Sequence, residues 1–174
     1  MFYLLCIVGF LFFAGVAMAI NEGLWSNTIS LLCILISGLA GAVAGPPLGL
    51  MIVDRAGQEN SNAWYFVFVC IWAIFALMML VLRLVADKAS RTRVRFLPVV
   101  DKIGGIVMGL AVAVMLASFA AYTLVRVPIS ADQWKFSEES SSLRSGFAYA
   151  QNPFRTVVKN FVKTEEIDSP FFGK

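Results

Sequence analysis

Four stretches of this chain are almost continuously apolar, each near the roughly 20 residues that a helix needs to cross the hydrocarbon core of a bilayer. Phe2 to Ile20 contains no charge, and neither does Thr28 to Val53. Within the second stretch, Pro46-Pro47 predicts a broken or ended helix, because each proline removes a backbone donor and crowds the preceding turn. Ala63 to Leu82 is the cleanest span, and a fourth runs from Ile103 to Val125, between Asp101-Lys102 and Arg126. Ala17-Met18-Ala19 has the small-x-small form of a signal-peptide cleavage site, but no basic residue precedes the apolar run, so the first stretch is read as a transmembrane helix. The pattern predicts an all-α integral membrane protein. Residues 1–127 form a four-helix transmembrane domain, and residues 128–174 form a polar extramembrane tail with a short amphipathic helix.

Within the tail, Ser137 to Ser145 reads as a flexible loop, and the pattern then changes. Asn152-Pro153 suits an N-cap followed by the first helical position. Phe154, Val157, Val158, Phe161 and Val162 recur at helical spacing, with Arg155, Lys159 and Lys163 between them. Residues 152–164 are therefore expected to form a basic amphipathic helix lying on a surface, either an anionic bilayer or a partner protein. Phe154, Arg155, Val158, Lys159, Phe161, Val162 and Lys163 are the surface-contacting residues. The terminal Phe171-Phe172 pair is either a docking peptide or an anchored end.

Composition sharpens this picture by exclusion. The chain has 174 residues, 59% of them hydrophobic and only 14% charged, with a mean hydropathy of +0.79. Its 14 Lys and Arg against 11 Asp and Glu leave a net charge of +3, too small and dispersed for a nucleic-acid binder. Histidine is absent, and Cys6, Cys33 and Cys70 lie far apart inside apolar stretches. Disulfide frameworks, zinc sites and Ser-His-Asp triads are thereby excluded. No cofactor-binding motif, paired intramembrane carboxylates or phosphate loop is present, so no enzymatic activity and no cofactor are expected. Asp54 and Glu59, the nearest acidic pair, share a loop with Arg55 and read as solvated. The absence of an ionisable residue near the middle of any span also argues against a proton-coupled transporter.

Charge placement orients the spans. The loop after the third span carries Lys88, Arg91, Arg93, Arg95 and Lys102, with Arg83 just before it, whereas the loop after the second has only Arg55. By the positive-inside rule, 83–102 is expected in the cytoplasm, with the N-terminus and the C-terminal tail outside. Tyr3, Trp64, Tyr65 and Tyr122 then fall at the outer boundary, where amphipathic rings are favoured. Arg83 is expected to snorkel to the cytoplasmic headgroups. Asp101 is read as the cap of the fourth helix's first turn rather than as a proton or cation site.

Small residues mark the faces expected to hold the helices together, since close backbone approach replaces the hydrophobic effect inside lipid. The second span has Ser37, Gly41, Gly45 and Gly49 at four-residue intervals. The fourth has Gly105, Gly109, Ala113, Ala117 and Ala121 at the same spacing. These faces are expected to pack on each other or on a partner subunit.

The segment FLPVVDKIGGIVMGLAVAVMLASFAAYTL, Phe96 to Leu124, resembles the second conserved block of the colicin V production protein (CvpA) family. The resemblance is carried by Asp101, Lys102, Gly105 and Gly109, by the preceding helix ALMMLVLRLVADK and by the four-span plan. Gly23 and the run into the second span match the family's glycine-containing first turn, which here carries Glu22 in place of the usual basic residues. The resemblance implies a bacterial inner-membrane protein linked to colicin V production or export and to envelope function, with no catalytic residues. The expected function is a non-enzymatic membrane scaffold or accessory subunit whose partners are the lipid bilayer and other membrane proteins or itself. A small oligomeric channel or transporter component is the alternative, distinguished by ion flux.

Overall fold

The structure, a computed structural model, describes residues 2–19, 22–56, 63–89, 98–125 and 141–161, all of which lie in helices except Glu22 and Gly23. In chain order the helices are α1 (Phe2–Ala19), α2 (Leu24–Ala56), α3 (Ala63–Ala89), α4 (Pro98–Val125) and α5 (Ser141–Phe161). Three contain segments long and apolar enough to cross a membrane: Leu24–Arg55, Tyr65–Lys88 and Val99–Leu124. α1 holds a shorter apolar stretch, Cys6–Ala17.

α4 is the hub, contacting α1, α2 and α5; among the described residues α2 in turn makes its most extensive pairing with α3. The core of Ile34, Val67, Ile71, Phe75, Val112, Phe119 and Tyr122 fills the junction of α2, α3 and α4, and Phe154 and Val158 complete it from α5. Aromatic rings form a connected chain through it. Phe75 stacks on Phe119 with centroids 4.5 Å apart; Phe154 meets Phe119 edge-on at 5.1 Å and Tyr122 at 5.2 Å, offset geometries that favour the ring quadrupoles.

The bounds of α2, α3 and α4 differ from those expected. α2 begins at Leu24, ahead of the expected Thr28, because a carboxylate from α4 caps it, as detailed below. It also continues through Pro46-Pro47 to Ala56 instead of ending there. Prolines are tolerated in membrane helices where neighbours support the backbone, and here Gly45 and Gly49 flank the pair and lie directly on α3. α3 extends past Leu82, taking Arg83 onto the helix. α4 starts at Pro98, whose fixed φ suits the first helical position.

The tail departs furthest from expectation. Residues 141–145, read as flexible loop, are the first turn of α5, and Asn152-Pro153 lies in the middle of that helix, not at its start. Phe154 and Val158, expected at a membrane or partner surface, are buried at 0% and 2% exposure against the bundle. Arg155 is half-buried, while Lys159 and Phe161 remain exposed. Val162 and Lys163 lie outside the described residues, as do residues 90–97 of the 83–102 loop. Tyr65 is exposed as expected for an interfacial ring, but Tyr122 is a core residue at 3% exposure.

Candidate functional site: a polar clamp at one end of the bundle

The α1–α2 turn, the end of α3 and the start of α4 meet at one end of the bundle. Asp101 sits in the first turn of α4, yet its carboxylate does not cap its own helix. Oδ1 accepts a 2.9 Å hydrogen bond from the backbone N–H of Leu24, the first residue of α2. The first amides of a helix lack intrahelical acceptors and carry partial positive charge, so a carboxylate there satisfies a donor and complements the dipole. Gly23 makes this approach possible: a Cβ on it would lie 2.9 Å from both Asp101 oxygens.

One turn along α4, Gly105 receives the same segment. A Cβ there would stand 2.9 Å from the Glu22 carbonyl oxygen. Asn27, fully buried on α2, donates from Nδ2 to the Gly105 carbonyl at 2.8 Å and to that of Glu22 at 3.3 Å. Asp101, Gly105 and Asn27 thus clamp the turn to α4 through backbone groups that would otherwise need water. Lys102, between them in sequence, is exposed.

Arg83 closes the other side. Its Nη2 lies 3.0 Å from Glu22 Oε1, its Nη1 donates to Ser30 Oγ, and its Nε is 3.7 Å from Asp87 Oδ1 one turn later on α3. Ser26 Oγ donates to Glu22 Oε2 at 2.7 Å. Arg83 is thus tied to α2 and the α1–α2 turn, and with both partners about one third exposed the pair is partly screened.

The small-residue faces are used within the chain, on partners other than those expected. The α2 row faces α3, not α4. Cβ atoms would stand 2.9 Å from the Ile71 carbonyl oxygen at Gly41, 2.8 Å from the Ile71 Cα at Gly45, and 2.5 Å from the Val67 Cα at Gly49. Ser37 is fully buried and its hydroxyl has no hydrogen-bond partner among the described residues, so it contributes through its size. On α4, Gly105 meets the turn and Ala113 meets Gly15 of α1, where a Cβ would lie 3.1 Å from the Ala113 Cα. Gly109 is buried.

Sequence reading missed several of these residues. Glu22 and Arg83 are 61 positions apart, but both follow apolar stretches that the sequence reading ends on the same side, and that shared position was a usable signal. Gly38 offered none, because it falls outside the four-residue row. A Cβ on Gly38 would lie 2.6 Å from the Phe154 ring, which occupies that notch. Ser118 accepts the backbone N–H of Phe154 at 2.9 Å, holding α5 just after Pro153.

The fold and this clamp define an all-helical, multi-pass membrane protein. The family model described as "Colicin V production protein" matches residues 5–148, so the chain belongs to that family. The search of curated proteins and that of solved structures found no match.

Proposed function

We propose that this protein is a non-enzymatic membrane scaffold or accessory subunit serving colicin V production or export and the bacterial envelope. The single observation that carries this reading is how its polar groups are used. Asp101 caps another helix, Asn27 binds backbone carbonyls, and Arg83 joins three elements. These are architectural roles.

In this reading α1 is the fourth span, and the bundle sits with the 83–102 loop in the cytoplasm. The meeting of the α1–α2 turn with Arg83 and Asp101 supports placing both connections on one side. Because the small-residue faces lie within the chain, partners bind the outer surfaces instead. Large apolar side chains such as Leu32, Ile36, Leu77 and Leu84 are exposed there, available to lipid or to other subunits.

The test is native mass spectrometry of the protein extracted gently from its own membrane, with every co-migrating chain identified. Stoichiometric membrane-protein partners are the expected result. A lone monomer or homo-oligomer that conducts ions in reconstituted vesicles would overturn the scaffold reading in favour of a channel.

A further inference from the structure

Just inside the clamp lies a cavity of about 580 Å³, within the roughly 300–1,000 Å³ range of small-molecule sites. It is lined from both sides of the bundle, by Gly15 of α1 and by Ala76, Leu80 and Arg83 of α3. Its two ends differ in chemistry. One is polar, with Glu22, Ser30 and Arg83; the other is closed by Ile34, Phe75 and Val112, each under a tenth exposed. Leu80 is 58% exposed and Ala76 is also exposed, so the wall opens sideways to the surroundings of the bundle.

Depth and charge narrow the occupant. Arg83 to Phe75 spans eight residues of helix, about 12 Å along the bundle axis at 1.5 Å per residue. The polar end coincides with the start of α2 and the charged end of α3, where a bilayer's headgroups lie, and the apolar end points toward its middle. An amphiphile with one chain in the cavity and its head at the membrane edge fits this gradient. The guanidinium of Arg83 and the carboxylate of Glu22 are 3.0 Å apart and each about one third exposed. Among the described residues Arg83 is the one cation lining the cavity, and it already shares its charge with Glu22 and Asp87, so these residues leave no surplus cation for a net-anionic head. A head bearing both signs is matched instead: phosphate oxygens on the guanidinium, in the planar fork geometry that favours them, and an ammonium on the carboxylate.

We propose that this cavity holds one acyl chain of a zwitterionic phospholipid, with its phosphoethanolamine head spanning the Glu22–Arg83 pair. The proposal concerns lipid and is independent of whether the protein has protein partners.

The experiment is native mass spectrometry of the purified protein incubated with equimolar phosphatidylethanolamine and phosphatidylglycerol of matched chains. One retained phosphatidylethanolamine per protein is expected, in excess over phosphatidylglycerol by about tenfold, the scale of one charge-assisted hydrogen bond. Ala76→Trp, which places an indole in the lateral opening of the cavity, should abolish that adduct while leaving the melting temperature close to the parent's. Glu22→Gln with Arg83→Gln should reduce the preference between the two lipids to about one. Equal retention of both lipids by the parent, or an adduct that survives Ala76→Trp, overturns the proposal. Should the double variant fail to fold, Ala76→Trp and the parent's selectivity decide alone.

Discussion

A glycine's contribution depends on what lies opposite it. Gly49 has the Val67 Cα 2.5 Å from where its Cβ would be, whereas nothing lies within 4 Å of the corresponding position at Gly9. Gly49→Ala should therefore force α2 and α3 apart, destabilising by about 1–3 kcal/mol as overpacking does. Gly9→Ala should be neutral or slightly stabilising through helix propensity. Thermal unfolding of both variants in one detergent checks the contrast, and a similar loss in both would show that packing is not the cause. The same logic applies at the clamp. Asp101→Ala removes the cap of α2, at a cost of about 0.5–2 kcal/mol, and exposes the Leu24 amide to faster hydrogen exchange. Asp101→Asn keeps an acceptor and should retain most of the protection. Gly23→Ala should resemble Asp101→Ala, since its methyl group would enter the space of the carboxylate.

At the scale of elements, α5 is the informative case. It is strongly amphipathic, and from sequence that character fits a helix lying on a membrane. In the fold its apolar edge inserts Phe154 into the notch left by Gly38 and bounded by Phe119 and Tyr122. Pro153 has no N–H to bond the preceding turn, and the next amide, that of Phe154, is held by Ser118 on α4. Docking should thus depend on a few contacts. With the native cysteines replaced and a reporter at Val158→Cys, maleimide labelling should be slow in the parent. Adding Gly38→Ala or Phe154→Ala should accelerate it, the latter removing a buried ring worth about 3–5 kcal/mol. Ser118→Ala should have a smaller effect, near the 0.5–1.5 kcal/mol of one hydrogen bond. Labelling that stays slow in all three would mean α5 is held elsewhere.

Across the whole molecule, α4 organises the bundle by holding α1, α2 and α5 at successive positions along its length. Its start binds the α1–α2 turn, Ala113 in its middle meets Gly15 of α1, and its last third receives α5. Damage near Asp101 should therefore loosen the end of the bundle where the turn and Arg83 meet, while damage at Ser118 should free α5 alone. Orientation is tested at the same scale. Lys88 and Asp54 are both exposed, near the C-terminal ends of α3 and α2, which the proposed topology puts on opposite sides of the membrane. In intact cells, an impermeant maleimide should label Asp54→Cys and spare Lys88→Cys. The reverse result would invert the proposed topology.

Sequence alone determined the membrane character and the family, because hydrocarbon demands long apolar helices regardless of how they later pack. It also marked Gly41, Gly45, Gly49 and Gly105 as positions of close approach, since spacing every four residues places them on one helical face. It did not determine which helix each face meets. α3 and α4 both offer apolar surfaces to α2, and the choice between them depends on contacts far apart in sequence, such as Gly49 with Val67 and Gly105 with the Glu22 carbonyl. Tertiary structure likewise reassigned Asp101 from its own helix to α2, 77 residues away, and Phe154 from the membrane surface to the core. A carboxylate can cap any helix start within reach, and an apolar edge can bury against lipid or protein alike, so only the folded arrangement selects the partner.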